Sequence, residues 1–463
     1  MDYIEIALSE LKKAAGEVQS DIIKDLIEGH APARRRMMTL YERYKASSDG
    51  VPVLTRTFDD KTKINNKLNN DFFSDIIDTK VGYFAGKPIS YLTDKETENF
   101  EKKDDTISDF TTRNNIEDLD AETAKLAAIC GYGARLCYVN RDGLEMVMNV
   151  DPWEAVFVTD MSINEPQYSM RYYKVMVRPE GSKEWVERWR VEWYDDLYLA
   201  NYIEADDGSF KVDQDDPGGA HMFGEVPLFG IPNNEEQQGD AEKVLALIDG
   251  YDNTLSDVNS EIEQFRLAYM AFYGIEVDEG TLLEAKRTGA FNFPDTDGKM
   301  EFVTKMLDDA VVEHHLDRLE DNIMRFSKSV NFADEKFAGT QTGVALRYKM
   351  LALESKCITA ERKFAAALRK MFKILATAWK AKGIQLDHTD VFFEFKRNFP
   401  LNLLDEAETT SKLRGHVSEQ TRLSLLSFVD DAEYEMELMK QDGEGKVDLD
   451  DDIGGDADDG LNE

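Results

Sequence analysis

Side chains able to do chemistry are few in this 463-residue chain, and none stands in a frame that performs it. Cys130, Cys137 and Cys357 lack the paired spacing that holds zinc, so they read as reduced intracellular thiols that pack as small hydrophobes. The histidines are His30, His221, His314, His315, His388 and His416, and none falls in a His-Glu-x-x-His frame. His314 and His315 are neighbours on a helical pattern, pointing about 100° apart, and cannot chelate one ion together. Gly86-Lys87-Pro88 ends no phosphate loop, because Val81 stands where the first glycine is needed and proline follows the lysine. Gly131-Tyr132-Gly133-Ala134-Arg135-Leu136 has two of the three glycines of a dinucleotide turn and precedes a strand. There is no Gly-x-Ser-x-Gly elbow. The string 448–454 approaches a calcium loop but has Ile453 where the sharp turn needs glycine. No catalytic residue, cofactor or metal site is expected.

Charge excludes more. Fifty-five Lys and Arg face 92 Asp and Glu, a net of −37, so a compact body of this composition repels nucleic acid and lacks the basic patch of a groove reader. The stretch Met1-Asp2-Tyr3-Ile4-Glu5 is no secretory leader, and no apolar run reaches the length of about 18 residues that a membrane span needs. Apolar residues make up 42%, enough for packed cores, and the length suggests about three domains.

The elements that would position a site read as follows. Amphipathic helix is expected over 4–44, 70–83 and 116–129. Residues 134–228 alternate in the manner of antiparallel strands, with turns at Arg141-Asp142-Gly143, Pro179-Glu180-Gly181 and Asp206-Asp207-Gly208. Asp240 is a candidate N-cap for a helical rod of about 45 Å. A small insert follows, with a short helix near 282–286 and strand signals at 291–293 and 301–303. A second rod spans 308–330, and after a short break the longest helix runs over 344–382. That helix carries ten basic residues against Glu354 and Glu361, a local charge of +8. It could present a solvated face or lie against an acidic neighbour or DNA. A strand fits 391–396, short helices fit 404–440 with Ser418 as N-cap, and the acidic stretch 442–463 is expected to be disordered.

Four segments in this order resemble the portal proteins of tailed double-stranded-DNA bacteriophages, of the type found in long-tailed phages of Gram-positive hosts. The first contains Lys80-Val81-Gly82-Tyr83-Phe84-Ala85-Gly86-Lys87-Pro88-Ile89. The second runs from Gly224-Glu225-Val226-Pro227 through Asn233-Asn234-Glu235, Gly239-Asp240 and Ile248-Asp249-Gly250-Tyr251-Asp252 to Leu255-Ser256-Asp257. The third is Phe337-Ala338-Gly339-Thr340-Gln341-Thr342-Gly343-Val344-Ala345-Leu346, where the family usually has Gly-Asn-x-Ser-Gly. The fourth is Ser418-Glu419-Gln420-Thr421 with Asp430 and Glu433.

The resemblance implies a mainly helical α+β portal fold assembled as a ring. Its parts would be a wing (1–238), stem helices (239–272 and 306–330) around a clip (273–305), and a tunnel loop (331–343). A long wing or channel helix and strand (344–400), a crown (401–441) and the acidic tail would follow. It implies a homo-oligomer of about twelve or thirteen subunits at one capsid vertex, assembled in the host cytoplasm and carried in the virion. Implied partners are the terminase large subunit, a head–tail adaptor, the major capsid and scaffolding proteins, and the double-stranded DNA passing through, with no membrane. Asn331, Asp334, Glu335, Lys336, Phe337, Thr340, Gln341 and Thr342 would line the channel, with Lys336, Gln341 and Thr342 touching phosphate weakly. Glu276, Asp278, Glu284, Lys286, Arg287 and Asp295 would dock terminase or adaptor at the clip. The acidity would keep the channel from gripping its cargo, and the basic helix would lie near acidic wings of neighbours. Two rivals are a hydrolase in the β-rich block, against which the missing nucleophile–base pair speaks, and a monomeric acidic intracellular adaptor or DNA mimic.

Overall fold

The structure is a computed structural model of the chain. It describes residues 3–5, 20–59, 63–94, 97–159, 166–178, 183–265, 269–273, 277–288, 299–303, 309–331, 348, 350–398, 403–426, 429 and 432–444. The fold is α+β and divides into two units, residues Met1–Phe332 with Met350–Asn398, and Ala333–Lys349 with Phe399–Glu463.

Helix α1 (Ser20–Tyr44) opens the larger unit, preceded by strand β1 (Tyr3–Glu5), which pairs in parallel with β5 (Ala155–Thr159). Sequence periodicity extended this helix back to residue 4; the short Tyr-Ile-Glu run instead joins a sheet edge, and 6–19 lie outside the described residues. Helix α2 (Phe72–Phe84), strand β2 (Ser90–Thr93), α3 (Phe100–Asn114) and α4 (Ile116–Cys130) follow. The polar helix α3 escaped the sequence reading; left-handed Asn99 and Asn115 bound it, one at each end. The β-rich block is antiparallel, as its alternation suggested. Strands β5, β6 (Tyr168–Val177), β7 (Val186–Tyr194) and β8 (Tyr198–Glu204) are consecutive neighbours, and β9 (Phe210–Val212) and β10 (Gly218–Ala220) both pair with β8. A second sheet sets β3 (Tyr132–Val139) between β4 (Glu145–Val150) and β11 (Leu228–Pro232).

Alternation on the large sheet places Val156, Val158, Met170, Tyr172, Val191 and Trp193 against Ile23 and Leu26 of α1. Four residues on from Leu26, His30 is fully buried, its Nδ1 2.8 Å from the Tyr172 hydroxyl. Farther along, Met37 and Leu40 join Phe73, Ile76 and Ile77 of α2 and Ala128 and Ile129 of α4 in a second core. All three cysteines are buried and free; burial lifts the thiols of Cys137 to about 12 and of Cys357 to about 11, so they are inert at neutral pH.

After β11 come α5 (Leu245–Phe265), β12 (Tyr269–Tyr273), α6 (Glu279–Thr288), β13 (Lys299–Val303) and α7 (Asp309–Ser327). The first rod ends at Phe265, short of the expected 272, because Tyr269-Met270-Ala271-Phe272-Tyr273 pairs with β13. The strand expected at 301–303 is present, while 291–293 lies outside the described residues. The long helix α8 (Leu351–Ala381) buries Leu353, Cys357, Ala360, Phe364, Leu368, Met371, Leu375 and Trp379, spaced by three and four. Residues 344–347 and 349 of its expected span lie outside the description. Phe364, Phe372 and Trp379 enter an aromatic cluster with Phe84 and Phe110, and Phe372 also meets Phe393 of β14 (Val391–Glu394), which pairs with β2. Beside it, fully buried Arg135 donates to Asp120 at 2.7 Å, and Tyr91 donates to the other carboxylate oxygen at 2.7 Å.

The smaller unit holds α9 (Leu403–Lys412), α10 (Glu419–Leu423) and α11 (Ala432–Glu444). Ser418 caps α10, its hydroxyl accepting from Thr421 N at 3.2 Å. Helix α11 carries the chain to Glu444; the rest of the acidic tail, 445–463, lies outside the described residues.

Candidate functional site

Of the residues expected at the channel, Asn331 alone is described; its side chain donates to Glu320 of α7 at 3.3 Å. Asp334, Glu335, Lys336, Phe337, Thr340, Gln341 and Thr342 lie outside the description. In the insert, Asp278, Glu284 and Arg287 are exposed, and Lys286 belongs to α6. Glu276 and Asp295 lie outside. Exposed Leu283 and Tyr273, at 63% and 52%, add apolar surface to the same insert.

Helices α5 and α7 pack on each other and carry this insert between them. A polar stripe fixes α5 to the body. Asp252, Ser256 and Ser260 recur every four residues and are buried. They meet alternate backbone N–H groups of the extended segment 66–70. Asn66 N donates to Ser260 Oγ, Leu68 N to Ser256 Oγ (both 2.9 Å) and Asn70 N to Asp252 Oδ1 at 3.0 Å. The match is geometric: four helical residues rise about 6 Å, and two extended residues about 6.6 Å. Arg56 closes one side, bonded to Asp257 at 2.8 Å and to Asn65 at 2.9 Å.

The root of the helix pair is a charge cluster. Gly239-Asp240 does not cap α5 as expected; the first helical turn starts at Glu242, whose carboxylate accepts from Gly239 N at 3.0 Å. The Asp240 carboxylate instead takes Lys80 of α2 at 2.7 Å and Lys356 of α8 at 3.0 Å. Lys80 also donates to Asn233 Oδ1 at 2.5 Å, and Lys356 to the carbonyl of Ser327, the last residue of α7, at 2.8 Å. Burial alone would raise the Asp240 carboxyl, but the two ammonium groups hold it below its ordinary value. Burial pushes the Lys356 ammonium down, against the pull of Asp240.

Backbone contacts lock the same loop. Asp240 N donates to Ala128 O at 2.7 Å and Asn233 N to Gly131 O at 2.9 Å, which satisfies carbonyls at the C-terminal end of α4. The approach is so close that a Cβ on Gly239 would lie 2.2 Å from Ile129 O, and one on Gly131 1.9 Å from Gln237 O. The cluster therefore joins α2, α4, α8 and both helices of the pair. Lys80, Asn233 and Asp240 stand in separate strings of the sequence that carry the family resemblance; Lys356, one of ten cations on its helix, has no individual signal.

Four of the ten cations expected on the long helix pair with acids of their own chain. Besides Lys356, Lys363 pairs with Glu235, Lys373 with Glu225 at 2.8 Å, and Lys382 with Glu145 at 2.7 Å. Arg362, Arg369 and Lys380 remain exposed. The acidic surface this helix lies against is thus, for these lysines, intramolecular.

Among the described residues no group of three or more metal-ligating side chains forms, and no helix is long and apolar enough to cross a membrane. The sequence model of the family described as "Phage portal protein, SPP1 Gp6-like" matches residues 23–448. The portal protein of Bacillus phage SPP1 is 25% identical, in an alignment covering 97% of this chain and 92% of the relative. The portal protein of Clostridium phage phiCD119 is 23% identical over 89% of this chain and 93% of its own.

Proposed function

Because the chain belongs to the SPP1 Gp6-like phage portal protein family, we propose that it forms a ring of about twelve subunits at one capsid vertex, through which double-stranded DNA enters and leaves. Residues α5 through α7 are the stem and clip in this reading, 331–343 the tunnel loop, 401–441 the crown, and the N-terminal helices with the β-rich block the wing. Terminase and then a head–tail adaptor dock on the insert, where Asp278, Glu284 and Arg287 stand beside exposed Leu283 and Tyr273. The chain itself does no catalysis; the motor is a separate ATPase.

The observation that carries the reading is the helix pair. It is anchored at one end by the Asp240 cluster and along α5 by the Asp252–Ser256–Ser260 stripe, yet it leaves Ile262 and Phe326 more than half exposed, at 52% and 56%. Side chains of that kind on paired helices suit packing against neighbouring copies. The net charge supports the conduit role: a ring near −440 offers phosphate few contacts that release counterions, so DNA slides without being held.

Native mass and class-averaged electron micrographs test the assembly. About twelve copies of 52.8 kDa give a particle of about 0.6 MDa with a central hole; a 52.8 kDa particle, or a closed one without a hole, contradicts it. For the tunnel loop, Lys336→Glu should change packaging rate or DNA retention in a packaging assay, and an unchanged rate and retention removes Lys336 from the channel contacts.

A further inference from the structure

The charge cluster at the root of the helix pair is left unbalanced, and it borders a cavity of about 280 Å³. Lys80 and Lys356 face one carboxylate, Asp240, inside the protein; the side chains of Lys80 and Asp240 are 4% and 2% exposed. An ammonium group has three N–H donors. Lys80 donates to Asn233 and stands 2.7 Å from Asp240 Oδ2 as an ion pair, and Lys356 donates to Ser327 O and stands 3.0 Å from Asp240 Oδ1. Among the described residues no further side chain or carbonyl engages either ammonium, and both lysines line the cavity. Lys243 and Lys328 line it as well, and among the described lining residues Glu236 is the one further acid. Lys328 is held there in the left-handed conformation (φ 57°) directly after α7. Four ammonium groups thus meet two carboxylates, an excess of two positive charges in a chain of net −37. A buried cation without a counter-charge is costly, and donors without acceptors add to that cost.

We propose that this cavity is a binding site for a small oxyanion of the phosphate or sulfate type. The ion accepts the remaining N–H of Lys80 and of Lys356 and supplies the missing negative charge, and Lys243 and Lys328 draw it in from solvent. Its four oxygens can accept from several donors at once, which chloride cannot do with the same geometry. A phosphate still attached to a duplex is a poor occupant, because the Lys80 ammonium is too deeply enclosed for a backbone that must stay on the surface. The described lining residues all come from one chain, so phosphate binding can be read without a ring.

The test is the phosphorus NMR line width of inorganic phosphate titrated with the full-length protein at constant ionic strength. The wild-type chain should broaden the line saturably, and sulfate should reverse the broadening where equal ionic strength of chloride does not. Lys328→Glu, an exposed change that leaves the cluster intact, should weaken binding at least tenfold. Lys356→Gln, checked for folding by circular dichroism, should abolish it. Lys380→Glu, elsewhere on the same helix, should bind as wild type. Absence of broadening with the wild-type chain, or undiminished broadening with Lys328→Glu, overturns the site. Displacement by a short duplex with sulfate ineffective overturns the small-ion assignment.

Discussion

Asp240 shows how one carboxylate can hold several elements together. Replacing it with asparagine keeps the shape and leaves Lys80 and Lys356 buried against each other without an anion. The expected loss is on the order of 3–5 kcal/mol of stability, read from urea unfolding at neutral pH. The pH dependence follows from the direction of the shifts. The Asp240 carboxyl lies below its ordinary 3.8 in the folded chain. Its contribution is therefore fully present above 3.8 and is lost as pH falls through the depressed folded value. Lys356 behaves oppositely in Asp240→Asn: burial already pushes its ammonium down, and without the carboxylate nothing at Asp240 opposes that, so the deficit should shrink as pH is raised into the alkaline range. A deficit independent of pH would place the stabilisation in shape and not in charge. Gly131 admits no side chain at all. Its φ of +97° and the 1.9 Å approach of a built Cβ to Gln237 O exclude a side chain. Gly131→Ala should cost at least about 1–3 kcal/mol, seen as a lowered Tm.

Among elements, the extended segment 66–70 has no ladder of its own and borrows one from α5. Ser256→Ala and Ser260→Ala should each cost about 0.5–1.5 kcal/mol. Hydrogen exchange should report them locally, with the Leu68 amide accelerated by the first change and the Asn66 amide by the second. If both amides exchange as in the wild type, the hydroxyls are not their partners in solution. Helix α8 illustrates a different economy. Its apolar stripe was legible from spacing, and its positive charge from composition. Where the charge goes was not legible, since Glu145, Glu225, Glu235 and Asp240 lie more than a hundred residues upstream. Their pairing with α8 makes this helix a fixed part of its own subunit.

For the whole molecule, the acidic excess weighs against tight binding of DNA. A duplex of about 30 bp should show no retention on the purified protein at physiological salt, and only weak retention when salt is lowered. Tight binding that survives 150 mM salt would mean that cations, hidden from composition, line the path. Assembly should tolerate salt better than a ring held by α8 reaching across to acidic neighbours, because Lys356, Lys363, Lys373 and Lys382 are engaged within the subunit.

Sequence alone determined the properties that are local or summed: the acidic charge, the absence of catalytic frames, the antiparallel texture of 134–228, the two rods around an insert, and the family through short strings in order. Those rest on period, composition and neighbours along the chain. Local pattern failed at Tyr3–Glu5 and at Tyr269–Tyr273, where short runs became strands because a partner farther along the chain offered an edge. Tertiary structure decided what Asp240 does. Its type and place before a rod suited an N-cap, but two lysines brought from residues 80 and 356 outweigh a backbone N–H as partners for a buried carboxylate. The site is a meeting of segments far apart in sequence, and their meeting depends on packing that no single window of residues contains.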